Sequence, residues 1–294
     1  MPRTRRASVS SEAATDLTAW IGRAEVVEDV ITPQPVAGMS ATLDRDDPPP
    51  AAGDPLPALW HWMYFTPKVP RSRLGPDGHP QRGGFLPPVP LPRRMFAGGR
   101  CVFHAPLRVG DAVRRASEIA DVVEKVGRSG PLIFVKVRHV YHTAAGVALG
   151  EDQDLVYRSG ADVAKGDADA ADEGVTGPWR RRIEPDPVTL FRYSALTFNG
   201  HRIHYDRPYA TGIEGYPGLV VHAPLIATYL LELVREHAGE RALATFHFRA
   251  KRPLFDGAAF EVTGGPERGG EGFRLAALTP EGAVAMQAGG TFSD

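Results

Sequence analysis

Cysteine is almost absent. Cys101 is the single one in 294 residues, which excludes an intrachain disulfide and a cysteine-based metal cluster and suits a reducing interior compartment. Neither sign of charge is in excess: 34 Lys and Arg stand against 35 Asp and Glu, a net charge of −1. No general electrostatic attraction to polyanions follows, so neither a nucleic acid nor a membrane is expected as a partner. Long apolar runs are missing too; none approaches the roughly 18 residues that cross a bilayer. No glycine loop of the dinucleotide type follows a strand, which argues against a nicotinamide or flavin fold. Near the start stand three arginines and no acid before Glu12. That pattern fits a frayed basic tail or an organellar transit peptide, so a cytoplasmic protein is expected, with the mitochondrial matrix left open.

What is present is enough to build a core. The chain is 43% hydrophobic and 23% charged, a globular composition whose length suits two domains or one large one. Trp20, Ile21, Val26, Val27, Val30 and Ile31 recur at near-helical spacing within 11–45, with Ser11 or Thr15 available as a cap. Prolines and glycines dominate 46–98, as in Gly83-Gly-Phe-Leu-Pro-Pro-Val-Pro90, and predict loops and extended chain. Trp60, Trp62, Tyr64 and Phe65 lie among them, as core packing or as the lining of a ligand cleft; core is the commoner use of such rings. Segments 100–108, 112–126, 132–141 and 148–157 read as strands of an antiparallel meander. The small, polar, acidic stretch 159–178 reads as a linker. This divides the chain into an N-terminal unit, 1–158, and a C-terminal unit, 179–294.

In the second unit, 188–198 is extended or partly helical. Leu225, Ile226, Tyr229, Leu230, Leu233 and Val234 repeat at three and four residues and predict a helix over 223–237, with Gly239 as its stop. Strands are predicted at 242–250, 258–263, 273–278 and 283–291. Before the helix comes Tyr193-Ser-Ala-Leu-Thr-Phe-Asn-Gly-His-Arg-Ile-His-Tyr-Asp206. It sets Asn199, His201 and His204 within six residues. Imidazole is the side chain best suited to moving protons near neutral pH, so the run reads as a site.

The run resembles the signature of the MaoC-like, or hydratase-2, branch of the hotdog superfamily. That signature runs aromatic, spacer, aliphatic, small, Gly, Asp, any residue, Asn, Pro, aliphatic, His, then a small residue six positions on. Tyr193, Leu196, Thr197, Ile203, His204 and Ala210 fill their slots without a gap. The departures are Phe198 for Gly, Asn199 for Asp, His201 for Asn and Arg202 for Pro. They bring the chain nearer the subgroup of type-2 hydroxyacyl-thioester dehydratases and mesaconyl-C4-CoA hydratases. Those proteins carry a similar run, followed by a Gly-Leu-Val-Val-His segment as at 218–222.

The resemblance implies an α+β double hotdog: two units, each an antiparallel sheet wrapped around a helix, with a degenerate first unit that binds substrate and a catalytic second one. The first unit shows no equally good central helix. The implied activity is reversible hydration of an α,β-unsaturated acyl-CoA, mesaconyl-C4-CoA (3-methylfumaryl-CoA) to citramalyl-CoA in the narrower form. Coenzyme A comes as part of the substrate, no separate cofactor is needed, and a homodimer is expected. The rivals are a dehydratase acting on carrier-protein thioesters, a thioesterase, and a thioester-binding module with a decayed site.

Hydration needs a base for water, a proton for the α carbon and donors for the enolate oxygen. His204 is the proton carrier under the resemblance; on its own chemistry it could equally be a structural histidine. Asn199 cannot titrate, though it can orient water. His201 either assists or orients the loop, and His222 reads as structural. The start of the long helix, at Ala223, offers free N–H groups and a positive dipole end to an anionic oxygen. A His-x-x-His pair also suggests metal, but no third ligand is evident in the sequence, so no metal is expected. Tyr193, Arg192 and Arg202 are candidates for contact with the substrate, as are Arg249 and Arg252 in a second basic cluster. The arginines suit carboxylate or phosphate capture, or solvated loop charge.

Overall fold

In the computed structural model, residues 15–127, 130–159, 177–239 and 241–293 are described. The basic N-terminal tail and most of the linker at 159–178 lie outside them. The elements run β1 (Ala24–Val30), α1 (Pro33–Thr42), β2 (Arg93–Phe103), β3 (Ala112–Gly127), β4 (Gly130–Thr143), β5 (Gly146–Arg158), β6 (Trp179–Ile183), α2 (Pro187–Leu196), α3 (Ala223–Ala238), β7 (Leu243–Ala250), β8 (Phe260–Pro266), β9 (Gly272–Leu278) and β10 (Val284–Phe292). All ten strands join one antiparallel sheet in the order β1-β3-β4-β5-β2-β7-β10-β9-β8-β6. Read outward from the β2–β7 seam, the two halves have the same order, each beginning with an edge strand that leads into a helix. The molecule is a topological duplicate of itself, as a double hotdog requires.

Most expected strands appear close to their predicted places, but the one expected at 100–108 runs instead over Arg93–Phe103, and β1 and β6 are additional. The reading of 11–45 as one helical stretch does not hold. Asp16 caps a short 3₁₀ turn at Leu17–Trp20, Gly22 takes φ +83°, and 24–30 pairs with β3 as an edge strand. The β-branched Val26, Val27 and Val30 favour that pleated surface, and helix begins only at Pro33. The ambiguous 188–198 resolves as α2, capped by Asp186 Oδ1, which accepts from the Thr189 N–H at 2.7 Å.

The predicted central helix is α3. Every residue from Leu225 to Val234 is buried, Thr228 and Glu232 included. Pro lies in its first turn and Gly239, at φ +69°, lies at its end, where each suits the backbone. It packs against β6, β8, β9 and β10, and it reaches β2 of the other half.

The first half has no counterpart to α3 among the described residues. Its concavity is filled by residues 59–65, where Leu59, Trp60, Met63, Tyr64 and Phe65 are buried around the 3₁₀ turn Trp60–Met63. Core packing, not a ligand cleft, is the use of these rings. The turn is tied to the sheet by one buried carboxylate. Glu151 accepts from Trp62 Nε1 at 2.7 Å, Tyr141 Oη at 2.8 Å and Gln153 Nε2 at 2.8 Å, and meets His61 Nε2 at 3.1 Å. Burial works against the charge, but His61, His139 and these donors hold the carboxyl well below the usual range. A second tie crosses the halves: Arg45 donates to both oxygens of the buried Glu232 on α3, at 2.7 and 2.8 Å.

Removing a buried partner costs more than the pair contributes, because the remaining polar groups stay desolvated. Glu151→Ala should lower the unfolding free energy by about 3–5 kcal/mol, read from denaturant titration at neutral pH. A loss within the range of a surface substitution, about 0.5 kcal/mol, would show that the carboxylate does not hold the 59–65 segment.

Candidate functional site

The signature run leaves α2, bends, and returns beneath the start of α3. The bend is made by local hydrogen bonding. Phe198 sits in the left-handed region at φ +49°, a conformation costing a side-chain-bearing residue about 1–2 kcal/mol. The Asn199 N–H donates to Ser194 O at 2.8 Å, and Asn199 Oδ1 accepts from the His201 N–H at 3.0 Å. Asn199 therefore works first as a turn-former, which an amide does as well as a carboxylate. A 3₁₀ turn at Arg202–His204 then points His201 and His204 inward, both buried.

His204 is held on two sides. Its Nδ1 donates to Val220 O at 2.7 Å, and its ring stacks on His222 with centroids 3.6 Å apart and planes 18° apart. Among the described residues this is the one hydrogen bond of the ring, so the tautomer is set and Nε2 is left as an acceptor. His222 is the N-cap residue of α3. The stack thus seats His204 one ring away from the helix start at Ala223, where the first-turn N–H groups have no intrahelical partner. His222 itself bonds Ser194 Oγ through Nε2 at 2.8 Å, while its Nδ1 is buried without a partner. Tyr193, 2% exposed, packs its ring against His222 at 4.9 Å. It lies behind the imidazole stack, as support.

Two residues that no sequence signal marks also stand here. Asp77 and His79 come from the proline- and glycine-rich loop of the first half. His79 Nδ1 meets Asp77 Oδ2 at 3.0 Å, and the His79 ring lies 4.1 Å from that of His201. His201 in turn faces His204 edge-on, centroids 5.5 Å apart. Nothing periodic marks a histidine in an irregular loop; only the partnership across the two halves reveals it.

Asp77, His79 and His201 also each offer a donor atom, all within 4.8 Å of one another. The third ligand that the sequence did not reveal therefore exists in space. In the structure Asp77 Oδ2 meets His79 Nδ1, a carboxylate–imidazole pair beside His201.

The arginine candidates separate. Arg202 stays beside the site: it pairs with Asp206 at 2.8 Å, donates to Pro76 O at 3.0 Å, and lies over the Tyr209 ring at 4.1 Å. Arg192 is exposed on α2 and reaches Ala41 O on α1. Arg249 alternates with the buried Phe246 and Phe248 on β7 and is exposed on the opposite face of the strand. Arg252 donates to Val284 O, on the segment that leads to Leu254, whose carbonyl accepts from the Val221 N–H. Neither Arg192 nor Arg249 shares a hydrogen bond with an imidazole of the site among the described residues.

Burial drives the pKa of His204 down to about 4 against the opposing pull of the Val220 carbonyl, with His79 adding to the fall. His79 also drops to about 4, through burial and the Arg94 charge, although Asp77 opposes the fall. His201 is lowered further, by burial and then by His79 and His204. Burial likewise lowers His222. All four rings are neutral at pH 7.

The unfolded chain, with imidazoles near 6.5, takes up protons in the acid range that these sites refuse. Their contribution is intact above about pH 6.5 and is lost as pH falls toward 4. Asp77 is held below the usual carboxyl range, as Glu151 is, so those two begin to act only below about pH 4.5. Denaturant midpoints should therefore already fall between pH 7 and pH 5. A flat profile over that window would mean that the imidazoles are solvated.

Comparison with known proteins gives the family and the fold. A family model described as hydroxyacyl-thioester dehydratase type 2 matches residues 59–256. The chain is 49% identical over 276 residues to the mesaconyl-C(4)-CoA hydratase of Chloroflexus aurantiacus, covering 94% of this chain and 98% of that one. It is 26% identical over 264 residues to the mitochondrial hydroxyacyl-thioester dehydratase type 2 of Schizosaccharomyces pombe, covering 78% and 86%. Among solved structures it is similar to Rv0216 of Mycobacterium tuberculosis, described as a double hotdog fold, with a TM-score of 0.55 and 13% identity over 93% of this chain and 96% of that one. Among the described residues no helix is long and apolar enough to cross a membrane. By sequence, by topology and by its buried histidine run, the chain belongs to the type-2 hydroxyacyl-thioester dehydratase family of MaoC-like hotdog proteins.

Proposed function

We propose that the chain is a hydro-lyase that adds water reversibly across the double bond of an α,β-unsaturated acyl-CoA, with mesaconyl-C4-CoA (3-methylfumaryl-CoA) to citramalyl-CoA as its reaction. The observation that carries the reading is His204: buried, neutral, anchored through Nδ1, and seated at the N-terminus of α3. The near-half identity to the Chloroflexus hydratase, over almost the whole of both chains, supports the choice of substrate.

In the hydration direction, His204 Nε2 takes a proton from water as the water oxygen bonds to the β carbon. The imidazolium then gives that proton to the α carbon, so one group closes the proton balance. Charge developing on the thioester oxygen faces the first turn of α3, where the Ala223 N–H and the dipole end favour an anion. Pro224 has no N–H to contribute. The free carboxylate of this substrate would meet positive charge beside the imidazoles, where Arg94 acts on both His79 and His201. Coenzyme A arrives as part of the substrate, and no separate cofactor takes part. We place the protein in the cytoplasm as a homodimer, the arrangement that the hotdog resemblance implies.

The test is a screen of the purified protein against crotonyl-, mesaconyl- and itaconyl-CoA, read as loss of conjugated-thioester absorbance. Mesaconyl-C4-CoA is expected to be hydrated without release of free thiol. His204→Ala should reduce the rate by at least about 10²- to 10⁴-fold, the scale of a lost general base. Undiminished hydration by that variant would remove His204 from the chemistry, and thiol release would mark a thioesterase. Because His204 acts as a base only when neutral, kcat/KM should hold from neutral pH to about pH 5 and fall below it. A midpoint near 6.5 would mean a solvated imidazole.

A further inference from the structure

The hydration scheme leaves one gap. Where the family signature has an Asp, this chain has Asn199, and its Oδ1 is already taken by the His201 N–H. A carboxylate nevertheless reaches the site from the other half of the molecule, and the chain is built to hold it there. Gly78 takes φ +88°, and a Cβ on it would lie 1.9 Å from Gly200 O. A Cβ on Gly200 would lie 2.9 Å from Gly78 O. Two glycines thus let the backbones of the two loops touch. The Arg202 N–H donates to Asp77 O at 2.9 Å, and its guanidinium reaches Pro76 O. The loop is also closed on itself: Gly75 N–H donates to His79 O at 2.7 Å, and Asp77 Oδ1 accepts from the His79 N–H at 3.0 Å. The result is a rigid turn that sets the His79 ring against His201.

We propose that Asp77 and His79 are positioning residues of the hydration site. Their carboxylate–imidazole pair fixes the plane of His201, so that His201 orients the attacking water toward His204. This inference rests on the hydratase reading. Asp77 accepts the Nδ1–H of His79, which fixes that ring's tautomer and directs Nε2 outward. His79 packs on His201, and His201 presents its edge to His204. Neither ring nitrogen of His201 has a protein hydrogen-bond partner among the described residues, so water and substrate are what they meet. No new proton inventory is needed: water still gives its proton to His204, and the α carbon receives it. The carboxylate that the signature keeps in the run itself has moved, in this chain, to a loop of the first unit.

The experiment compares Asp77→Asn, Asp77→Glu and His79→Gln with wild type and His204→Ala in steady-state hydration of mesaconyl-C4-CoA. Thermal melts check that each variant folds. Asp77→Asn and His79→Gln should lower kcat by about 10- to 100-fold, the scale for losing a group that orients a reacting imidazole, with KM changed less than about threefold. Asp77→Glu should recover part of the loss. Wild-type kcat in Asp77→Asn and His79→Gln, with His204→Ala inactive, would overturn this inference and leave the hydratase reading standing. Activity retained by His204→Ala would overturn both. A rise in KM alone would make the loop a binding element and overturn the positioning role. So would a stoichiometric divalent metal in the purified protein whose loss, in Asp77→Asn, accompanies the loss of activity.

Discussion

The seam between β2 and β7 is the pairing on which the rest depends. It converts two five-stranded halves into one sheet, with Gly98 opposite Arg249 and Gly99 opposite Phe248. A Cβ at 98 would clash with Phe248 O at 2.7 Å, and one at 99 would press on the Phe248 ring at 3.0 Å. Side chains from both halves then share one core, in which Trp60, Tyr141 and Cys101 pack with Leu225, Leu230 and Phe246. Because the seam sets the halves in one orientation, the loop that precedes β2 falls beside the run that precedes α3. Without that pairing, Asp77 and His201 would belong to separate bodies.

Duplicated topology with divergent filling explains the asymmetry of function. The second half keeps a long helix, and with it the helix N-terminus proposed to stabilise an anionic oxygen. The first half has residues 59–65 in that place, pinned by Glu151. A short 3₁₀ turn has no comparable dipole and no free first turn. What the first half supplies instead is a loop, docked through Gly78, that brings charge and an imidazole to the other half's site. Burying neutral imidazoles at 201, 204 and 222 costs less than burying charged ones, and each ring packs against another.

Much of this was legible in the linear sequence, for reasons that are local. Strands at 112–127, 130–143 and 146–158 follow from β-branched content and turn residues. The 3.6-residue repeat of Leu225, Tyr229 and Leu233 requires a helix. Where neighbouring signals competed, local reading failed: 24–30 looked helical by spacing, yet its valines pair with β3 because an edge position there was open. The arginines at 192 and 249 looked equivalent to Arg202 in sequence, but a helix face exposes the first and the pleat of β7 exposes the second.

The spacing of Asn199, His201 and His204 depends only on chain order, so the sequence alone determined the family, the central helix and the residue proposed to carry the proton. It could not determine which ring nitrogen of His204 is free, because the partner is the Val220 carbonyl, sixteen residues away. It could not locate Asp77 and His79 either, since their contact with His201 spans more than 120 positions and exists only through the β2–β7 seam. Tertiary structure decided those points, for a physical reason: tautomer, burial and carboxylate supply are properties of space around a side chain, and periodicity and spacing carry no record of it.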